Sequence, residues 1–288
     1  MKAKTIKKIL TTKRQEWIKS IDDDDLRGKL FKDTIITGGC IASMLLDEPV
    51  NDYDIYFTNK TTLVKVVKYY IQKFKQLNPE SELGITYEDT DDRVTIKVRR
   101  SSRESMASED GFNFTDDPYE DLETHAEAPN QEKPKYRPVY LSANAITLSD
   151  KIQLVIRFYG DPETIHSNYD FEHCKCYMHR TNLVLPAKSL EALLTKELVY
   201  TGSKYPLASI IRTRKFIKRG FKINAGQYLK MALQLNDLDL RHLPTLEDQL
   251  IGMDAVYFAQ ILAAIPPEAK INDRIDSYYV IGIINRFF

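Results

Sequence analysis

The sequence predicts a mixed α/β fold of the α+β class, in which a mixed β-sheet with flanking helices is followed by an all-α C-terminal half. Two observations lead to this prediction. Before Pro186, segments rich in β-branched and aromatic residues alternate with segments of helical periodicity, and after Pro186 the pattern is almost entirely helical. We therefore expect a larger domain over residues 1–185 and a helical domain over residues 186–288.

The first part of the chain predicts two helices. One ends near Ser20, and a shorter one spans Asp22 to Leu30. The acidic run from Asp22 to Asp25 offers oxygens that can cap a helix N-terminus and charges that suit the helix dipole. We interpret this run as a solvated helix start rather than a metal site.

A strand, a glycine turn, a helix and a second strand follow in close succession. The apolar pair Ile35-Ile36 leads into the turn Gly38-Gly39. The run from Cys40 to Leu46 predicts a short helix, which Pro49 ends. The segment from Tyr53 to Phe57 is rich in β-forming residues and predicts the second strand.

The middle of the chain predicts a helix, a hairpin and a polar insertion. The helix covers Thr61 to Gln76, where apolar residues recur at helical spacing. The hairpin strands are expected over Leu83–Tyr87 and Val94–Val98. The segment 101–138 is polar and acidic with few aliphatic residues, so we interpret it as an insertion outside the core.

Further β character and then a series of helices complete the pattern. The β segments are Val139–Leu148, Ile152–Tyr159 and Tyr169–Met178. The middle segment suits either the helical or the strand period, and both alternatives stay open. The expected helices cover Ala187–Tyr200, Leu207–Arg219, Ala225–Gln234 and Leu246–Ile265.

Composition excludes several classes of protein. The 41 basic residues balance the 41 acidic ones, so net charge gives no argument for a polyanionic partner. The N-terminus lacks the apolar stretch and cleavage site of a secretory signal, and no window has the apolar length needed to span a bilayer. Three cysteines do not support a disulfide framework. We expect a cytoplasmic protein without a membrane partner, and the sequence leaves its oligomeric state open.

An acid pair is the first candidate for chemistry. On an extended segment, residues two apart project to the same face, so Asp52 and Asp54 are expected to converge. Two like charges at close range favour a bound divalent cation, and magnesium prefers carboxylate oxygens and substrate phosphates. Taken alone, such a pair is more often a solvated turn.

The glycine turn before the acid pair is the second candidate. Gly38 and Gly39 follow an apolar strand and open a helix, where glycine lets backbone amides approach a phosphate group. Ser43, one turn into the helix, offers a hydroxyl to the same group. The alternative is a plain strand-to-helix turn with a solvated Ser43. The combination of the turn with the acid pair favours a nucleotide site.

Asp170 is the third candidate, because it stands between two aromatic residues on a segment that predicts a strand. If this strand neighbours the one that carries Asp52 and Asp54, the three carboxylates form a single cluster. Such a cluster suits two divalent ions that hold the attacking and leaving oxygens of an in-line phosphoryl displacement.

These motifs resemble those of the DNA polymerase β-like nucleotidyltransferase superfamily, which includes tRNA CCA-adding enzymes and poly(A) polymerases. The resemblance rests on Thr37 to Ser43, on Asn51 to Phe57 and on Tyr169-Asp170-Phe171, and in outline it covers roughly residues 30–220. Within the superfamily, Ser149 to Gln153 and Asp170-Phe171-x-His173 are similar to segments of predicted nucleotidyltransferases encoded by bacteriophages.

The resemblance implies transfer of a nucleoside monophosphate from a nucleoside triphosphate, such as ATP, to a hydroxyl of RNA such as tRNA, of a protein or of a small molecule. It implies Mg²⁺, or Mn²⁺, bound by Asp52, Asp54 and Asp170, with Asp170 as third ligand or base. Gly38, Gly39 and Ser43 would hold the triphosphate. The alternative from another class is a catalytically silent nucleotide-binding module, or a phage structural or accessory protein, with the same fold.

The sequence departs from the CCA-adding pattern in two ways. CCA-adding enzymes usually carry an arginine soon after the glycines, whereas this chain has Cys40 to Ser43 there. They also have a compact catalytic head, whereas more than 110 residues separate Asp54 from Asp170. CCA addition in particular is therefore not expected.

Four cations and one cysteine cluster complete the candidates. Arg212, Lys215 and Arg219 lie near one face of a predicted helix and offer positive charge to a triphosphate or an RNA backbone, although a solvated basic face explains them equally well. Lys151 is a further phosphate candidate and equally a surface lysine. The cluster His173, Cys174, Cys176 and His179 lacks the usual spacing of a zinc site, and we do not interpret it as one.

Overall fold

A computed structural model describes most of the chain as two compact units. The described residues are 1–79, 84–91, 93–99, 134–251 and 281. Among them, the first unit contains the residues up to 169 together with 173–195, and the second contains 170–172 with the residues from 196 onwards. Residues 101–133 of the predicted polar insertion lie outside the described residues. The predicted domain boundary after residue 185 stays a prediction.

The two N-terminal helices form as predicted. Helix α1 spans Ala3–Lys19, and its buried residues recur every three or four positions, as expected for one buried face. Trp17 on that face donates its indole N–H to the hydroxyl of Tyr70 at 2.8 Å. Helix α2 spans Asp24–Asp33, and the side chain of Asp23 caps it. The acidic run is therefore a helix start.

The predicted strand, turn, helix and strand are confirmed in order. Strand β1 covers Thr34–Thr37 and is fully buried. Helix α3 covers Gly39–Leu45, strand β2 covers Tyr53–Phe57, and helix α4 covers Lys60–Leu77. The side chain of Asn59 caps α4 by accepting a hydrogen bond from the backbone N–H of Thr62, the third residue of the helix.

The main sheet has seven strands and is mixed. Strands β5 to β9 cover Pro138–Leu141, Ala145–Leu148, Ile152–Tyr159, Tyr177–His179 and Asn182–Val184. The strand order is β5-β6-β7-β2-β1-β8-β9, in which β2 pairs with β7 in parallel and the other pairs are antiparallel. The segment left open between helix and strand is thus a strand. The predicted β segment Val139–Leu148 divides into two strands because Ser142 turns the chain, accepting and donating bonds with Ala145.

A separate hairpin flanks this sheet. Strands β3, Gly84–Asp89, and β4, Val94–Arg99, pair in antiparallel register without a bulge. The sequence predicts this hairpin, and the structure confirms it as a two-stranded sheet of its own.

The predicted strand Tyr169–Met178 is wrong except at its end. Asp161 caps the short helix α5, Pro162–His166, and a 3-10 turn covers Glu172–Cys174. Between them the backbone of residues 170–172 bonds to residues 199–201, and the ring of Phe171 packs on Tyr200. The alternation of polar and aromatic residues therefore does not come from a strand, and Asp170 lies in a bend.

The described part of the chain after Pro186 is helical apart from isolated β-bridges. Helices α6 to α9 cover Ala187–Thr195, Pro206–Lys218, Ala225–Asn236 and Leu243–Ile251. The first ends earlier than predicted because Lys196 adopts a positive φ of 50°. Residues 252–265 of the last predicted helix lie outside the described residues. The α+β class, with a mixed sheet and flanking helices, is confirmed.

Helix length and composition bear on the predicted absence of a membrane span. Within the described ranges, no helix is both long enough and apolar enough to cross a bilayer.

Candidate functional site

The glycine turn lies directly beside the carboxylate of Asp54. Strands β1 and β2 are antiparallel, and their register places Thr37 opposite Asp54. Gly38 follows with φ 90° and ψ −150°, a region that is essentially open only to glycine. A Cβ atom at Gly38 would lie 2.9 Å from Oδ2 of Asp54. The sequence therefore needs glycine here both for the backbone conformation and for the space beside the carboxylate.

Asp52, the other acid of the pair, lies close to the same turn. Asp52 immediately precedes β2, and Asp52 and Asp54 are both half-buried. Burial raises the pKa of the Cys40 thiol well above its ordinary value, and the negative charges of Asp54 and then Asp52 raise this pKa further. Both carboxylates thus act on the thiol at the start of α3, so the two acids and the glycine turn share one neighbourhood.

Two tyrosines lie beside the Asp54 carboxylate. The hydroxyl of Tyr169 would be 3.4 Å from a Cβ atom at Gly38, and the rings of Tyr56 and Tyr169 are 5.9 Å apart. Burial raises the pKa of Tyr169 well above its ordinary value, and the charges of Tyr56 and Asp54 raise this pKa further. The Tyr169 phenol therefore stays neutral next to the acid. From the sequence alone, Tyr169 is only an aromatic neighbour of Asp170.

A neutral histidine completes this side of the sheet. Thr37 Oγ1 lies 2.9 Å from the carbonyl oxygen of Cys176 and 2.8 Å from Nε2 of His166. Because the hydroxyl donates its only proton to the carbonyl, Nε2 of His166 must carry the proton that it donates to Thr37. Burial, with a smaller effect from Lys175, lowers the pKa of His166 to about 4.

Sequence reasoning missed His166. Asp161 followed by Pro162 is a recognisable start of a helix, and it could have placed α5, which carries His166. No local signal indicates that this helix lies against Thr37.

Lys151 lies at the same end of β2 as the acid pair, because the next residue, Ile152, pairs with Tyr53. Asp150 and Lys151 both have φ 62° in the turn between β6 and β7. The backbone carbonyl of Lys151 accepts a hydrogen bond from the N–H of Tyr53 at 2.7 Å, and its ammonium group donates to the carbonyl of Val50 at 3.1 Å. Lys151 therefore supports the loop that leads to Asp52. Its predicted contact with a phosphate stays a prediction.

Ser43 and Gly39 occupy α3. Gly39 begins the helix, and a Cβ atom there would have no neighbour within 4 Å. Ser43 lies one turn further on and is buried. Their predicted contacts with a triphosphate stay predictions.

The remaining predicted residues belong to the second unit. The Asp170 carboxylate is buried, and its Oδ2 lies 2.9 Å from Nε of Arg212 on α7. Both atoms nevertheless lack hydrogen-bond geometry, so the contact is an ion pair without a directed bond. Lys215 is exposed on the same helix. The predicted roles of Asp170, Arg212 and Lys215 stay predictions.

The acid pair fits a magnesium ion. Among the residues that the structure describes, no group of three or more His, Cys, Asp or Glu side chains is arranged to hold a metal. Magnesium is usually bound by one or two carboxylates, with water and substrate phosphates as further ligands. Asp52 and Asp54 supply this donor set, and the open space at Gly38 lies beside one of them.

Comparison with known proteins gives one family and a group of distant structures. A model described as the Gabija anti-defense 2 family matches residues 8–196. No curated protein matches the sequence.

The solved structures are enzymes of tRNA processing. The Thermotoga maritima CCA-adding enzyme complexed with tRNA has a TM-score of 0.40 at 13% identity, covering 96% of this chain and 66% of that one. The Bacillus stearothermophilus CCA-adding enzyme in complex with CTP has a TM-score of 0.41 at 13% identity, covering 87% and 51%. The chain thus spans about half to two-thirds of their length. Similarity at this level carries no information on activity or substrate.

Proposed function

The chain belongs to the Gabija anti-defense 2 family, and we propose that it acts as a metal-dependent nucleotidyltransferase, moving a nucleoside monophosphate from a nucleoside triphosphate to a hydroxyl acceptor. The observation that carries the proposal is the close approach of the glycine turn to Asp54, the second carboxylate of the acid pair. Gly38 leaves room beside Asp54 that any side chain would fill. A phosphate oxygen and a divalent ion need such room at the same carboxylate.

Asp52 and Asp54 bind the divalent ion in this proposal, Mg²⁺ or Mn²⁺. When bound, the ion neutralises phosphate charge and lowers the pKa of a coordinated hydroxyl group. Gly38 and Gly39 let backbone N–H groups approach the triphosphate, and Lys151, Arg212 and Lys215 add positive charge. Because α3 has seven residues, its dipole is a small contribution, and the acid pair carries most of the argument.

The reaction forms one bond and breaks one. The acceptor oxygen bonds to the α-phosphorus while the bond from that phosphorus to the bridging oxygen breaks, and pyrophosphate leaves. The acceptor loses its hydroxyl proton, for which Asp170 is the proposed base. In the structure, that carboxyl group lies 2.9 Å from Nε of Arg212.

The description of the family bears on the identity of the acceptor. Its description names opposition to a defence called Gabija, and the resemblance to phage sequences agrees with a protein that a phage makes inside its host. We propose that the acceptor belongs to the host, either RNA such as tRNA or a protein of that defence.

One observation favours the second candidate, a catalytically silent nucleotide-binding module. Asp170 already has a cationic partner in Arg212, 2.9 Å away, so its charge is neutralised without a metal. If Asp170 stays paired with Arg212, Asp52 and Asp54 can still bind a nucleotide, and no transfer follows. Binding without transfer would then be the outcome.

Labelling experiments distinguish the two. The protein is incubated with Mg²⁺, host lysate and nucleoside triphosphates labelled at either the α- or the γ-phosphate. We expect incorporation from the α-label alone, and its loss in Asp54→Asn. Asp47→Asn is the matched control, since Asp47 is largely exposed and its positive φ suits asparagine. Incorporation from the γ-label, or equal labelling by wild type and Asp54→Asn, would contradict the proposal.

A further inference from the structure

The outer edge of β3 is open. Thr90 donates its backbone N–H to the carbonyl of Arg93, so residues 90 and 93 form a hydrogen-bonded pair. Bonded pairs recur every second residue in an antiparallel ladder, and the next ones are 88 with 95 and 86 with 97. The N–H and C=O groups of Ile85 and Tyr87 therefore point away from β4.

No described residue pairs with these groups. The corresponding edge of β4 is engaged, because Ile96 donates its N–H to the carbonyl of Ala143. The six-residue edge of β3 has no proline and no bulge, which are the usual devices that keep other strands away. Such an edge is a template for an added strand.

A groove runs along this edge. It has a volume of about 710 Å³ and lies between α4 and β3. Ile71 of α4 and Ile85 of β3 form its apolar floor, and both are almost fully buried. Tyr87 lines the same groove, with the ammonium group of Lys68 5.6 Å from its ring centre. The side chains in the groove and the unpaired backbone groups thus come from the same residues of β3.

The rim of the groove is positive. Lys68 and Lys75 line it, both are exposed, and neither has an ion-pair partner within the described part of the chain. The acids of β3 already have partners, because Glu88 pairs with Lys97 and Asp89 pairs with Lys60, each at 2.8 Å. Net positive charge beside an apolar floor favours a ligand that is acidic and apolar in alternation.

The distance between Lys68 and Lys75 indicates the order of acidic and apolar residues in the ligand. Lys68 and Lys75 are seven residues apart on α4, or about 10 Å along the helix axis. In an added strand, the side chains that face α4 recur every second residue, about 6.7 Å apart. Two acids separated by one such position are about 13 Å apart, which the long lysine side chains can reach, and the position between them lies over the apolar floor.

We propose that the β3 edge and its groove bind an extended acidic segment of a partner protein as an added strand, with the pattern acid-x-apolar-x-acid. Backbone hydrogen bonds to Ile85 and Tyr87 would give affinity, and the floor and lysines would give selectivity. The inference goes beyond nucleotidyl transfer and does not depend on it. For a protein of an anti-defense family, such a surface offers a means of holding a protein target.

The proposal is tested on the full chain by reversing the charges of the groove lysines and, separately, those of the peptide. The probe is a fluorescent synthetic peptide with the core Glu-Thr-Ile-Thr-Glu, compared with one in which lysine replaces both glutamates. Fluorescence anisotropy should show binding of the acidic peptide alone, weakened about tenfold or more in Lys68→Glu with Lys75→Glu. That variant should instead bind the lysine peptide. Lys4→Glu with Lys7→Glu is the matched control, because both lysines are exposed on α1, and it should bind like the wild type.

A second variant tests the strand edge. Tyr87→Pro removes an N–H that does not bond to β4, so the hairpin should persist, as circular dichroism can check, while peptide binding is lost. Equal binding of both peptides, or no binding of either, would overturn the proposal. So would a concentration-dependent dimer that Tyr87→Pro dissociates, because a second copy of the chain would then be the occupant.

Discussion

Gly38 is the residue on which the geometry of the site depends most. Its φ of 90° with ψ −150° is a conformation that costs other residues about 1–3 kcal/mol. We expect Gly38→Ala to lower the free energy of unfolding by about that amount and to displace the Asp54 carboxylate, because the new Cβ atom would approach Oδ2 to 2.9 Å. Urea unfolding followed by fluorescence measures the change.

Gly39→Ala is the control for this prediction. It adds the same methyl group one residue later, where no atom lies within 4 Å and where alanine suits a helix better than glycine. Its stability should equal or exceed that of the wild type. Equal losses in both variants would show that the space beside Asp54 has no special role.

His166 makes stability depend on pH. Burial lowers its pKa from an ordinary 6.5 to about 4, so the folded state prefers the neutral ring. The unfolded chain takes up a proton as the pH falls below 6.5 and the folded chain does not until about pH 4, so stability falls with pH across this window. Below it, both states are protonated and this contribution is lost.

His166→Gln tests that contribution, since an amide can still donate to Thr37 but does not titrate. The measurement is the free energy of unfolding at several pH values from 7 to 4. We expect a steeper loss in the wild type than in the variant. Parallel curves would assign the pH dependence to other groups.

At the scale of elements, α5 links the cap at Asp161 to the position of His166. The helix has five residues, too few to be stable without its cap and its packing. Asp161 accepts the N–H of Thr164 at 2.8 Å, a bond that also lowers the pKa of Asp161. Asp161→Ala should cost about 1 kcal/mol of stability.

Asp161→Asn is the matched variant, because asparagine caps helices as well as aspartate does. Thermal unfolding of both variants makes the comparison. A loss of the same size in both would mean that the charge, and not the cap, stabilises α5.

Elements with a local signal were predicted correctly from the sequence. The bounds of β2 agree with prediction at both ends, because four of its five residues are β formers and turn signals stand on both sides. The glycine turn and α3 follow from Gly38 and Pro49 for the same reason. These elements carry Asp52 and Asp54, so this part of the candidate site was also predictable.

Elements that depend on distant partners were not predicted correctly. The alternation around Asp170 is typical of a strand, yet its aromatic neighbour Phe171 packs against Tyr200 and Phe216 of the second unit. The early end of α6 depends on Lys196, whose positive φ has no glycine signal. Local patterns say which residues will be buried, and they do not say against what.

At the scale of the whole molecule, the sheet brings distant segments to the acid strand. β2 lies between β1, its neighbour along the chain, and β7, with which it forms the parallel pair. Thr37 of β1 pairs with Asp54 on one side and with Tyr177 on the other. The pairing of Thr37 with Tyr177 joins segments that are far apart along the chain, and no local signal encodes it. For that reason His166 and Tyr169 were not predicted as neighbours of the acid pair.

The central claim is that Asp52 and Asp54 bind a divalent ion together with a nucleotide beside Gly38. Isothermal titration calorimetry with a nonhydrolysable nucleoside triphosphate tests it most directly, with and without Mg²⁺, on the wild type, Asp54→Asn and the control Asp47→Asn. We predict binding that requires Mg²⁺, persists in Asp47→Asn and is lost in Asp54→Asn. Nucleotide binding of equal strength without Mg²⁺, or unchanged in Asp54→Asn, would contradict the claim.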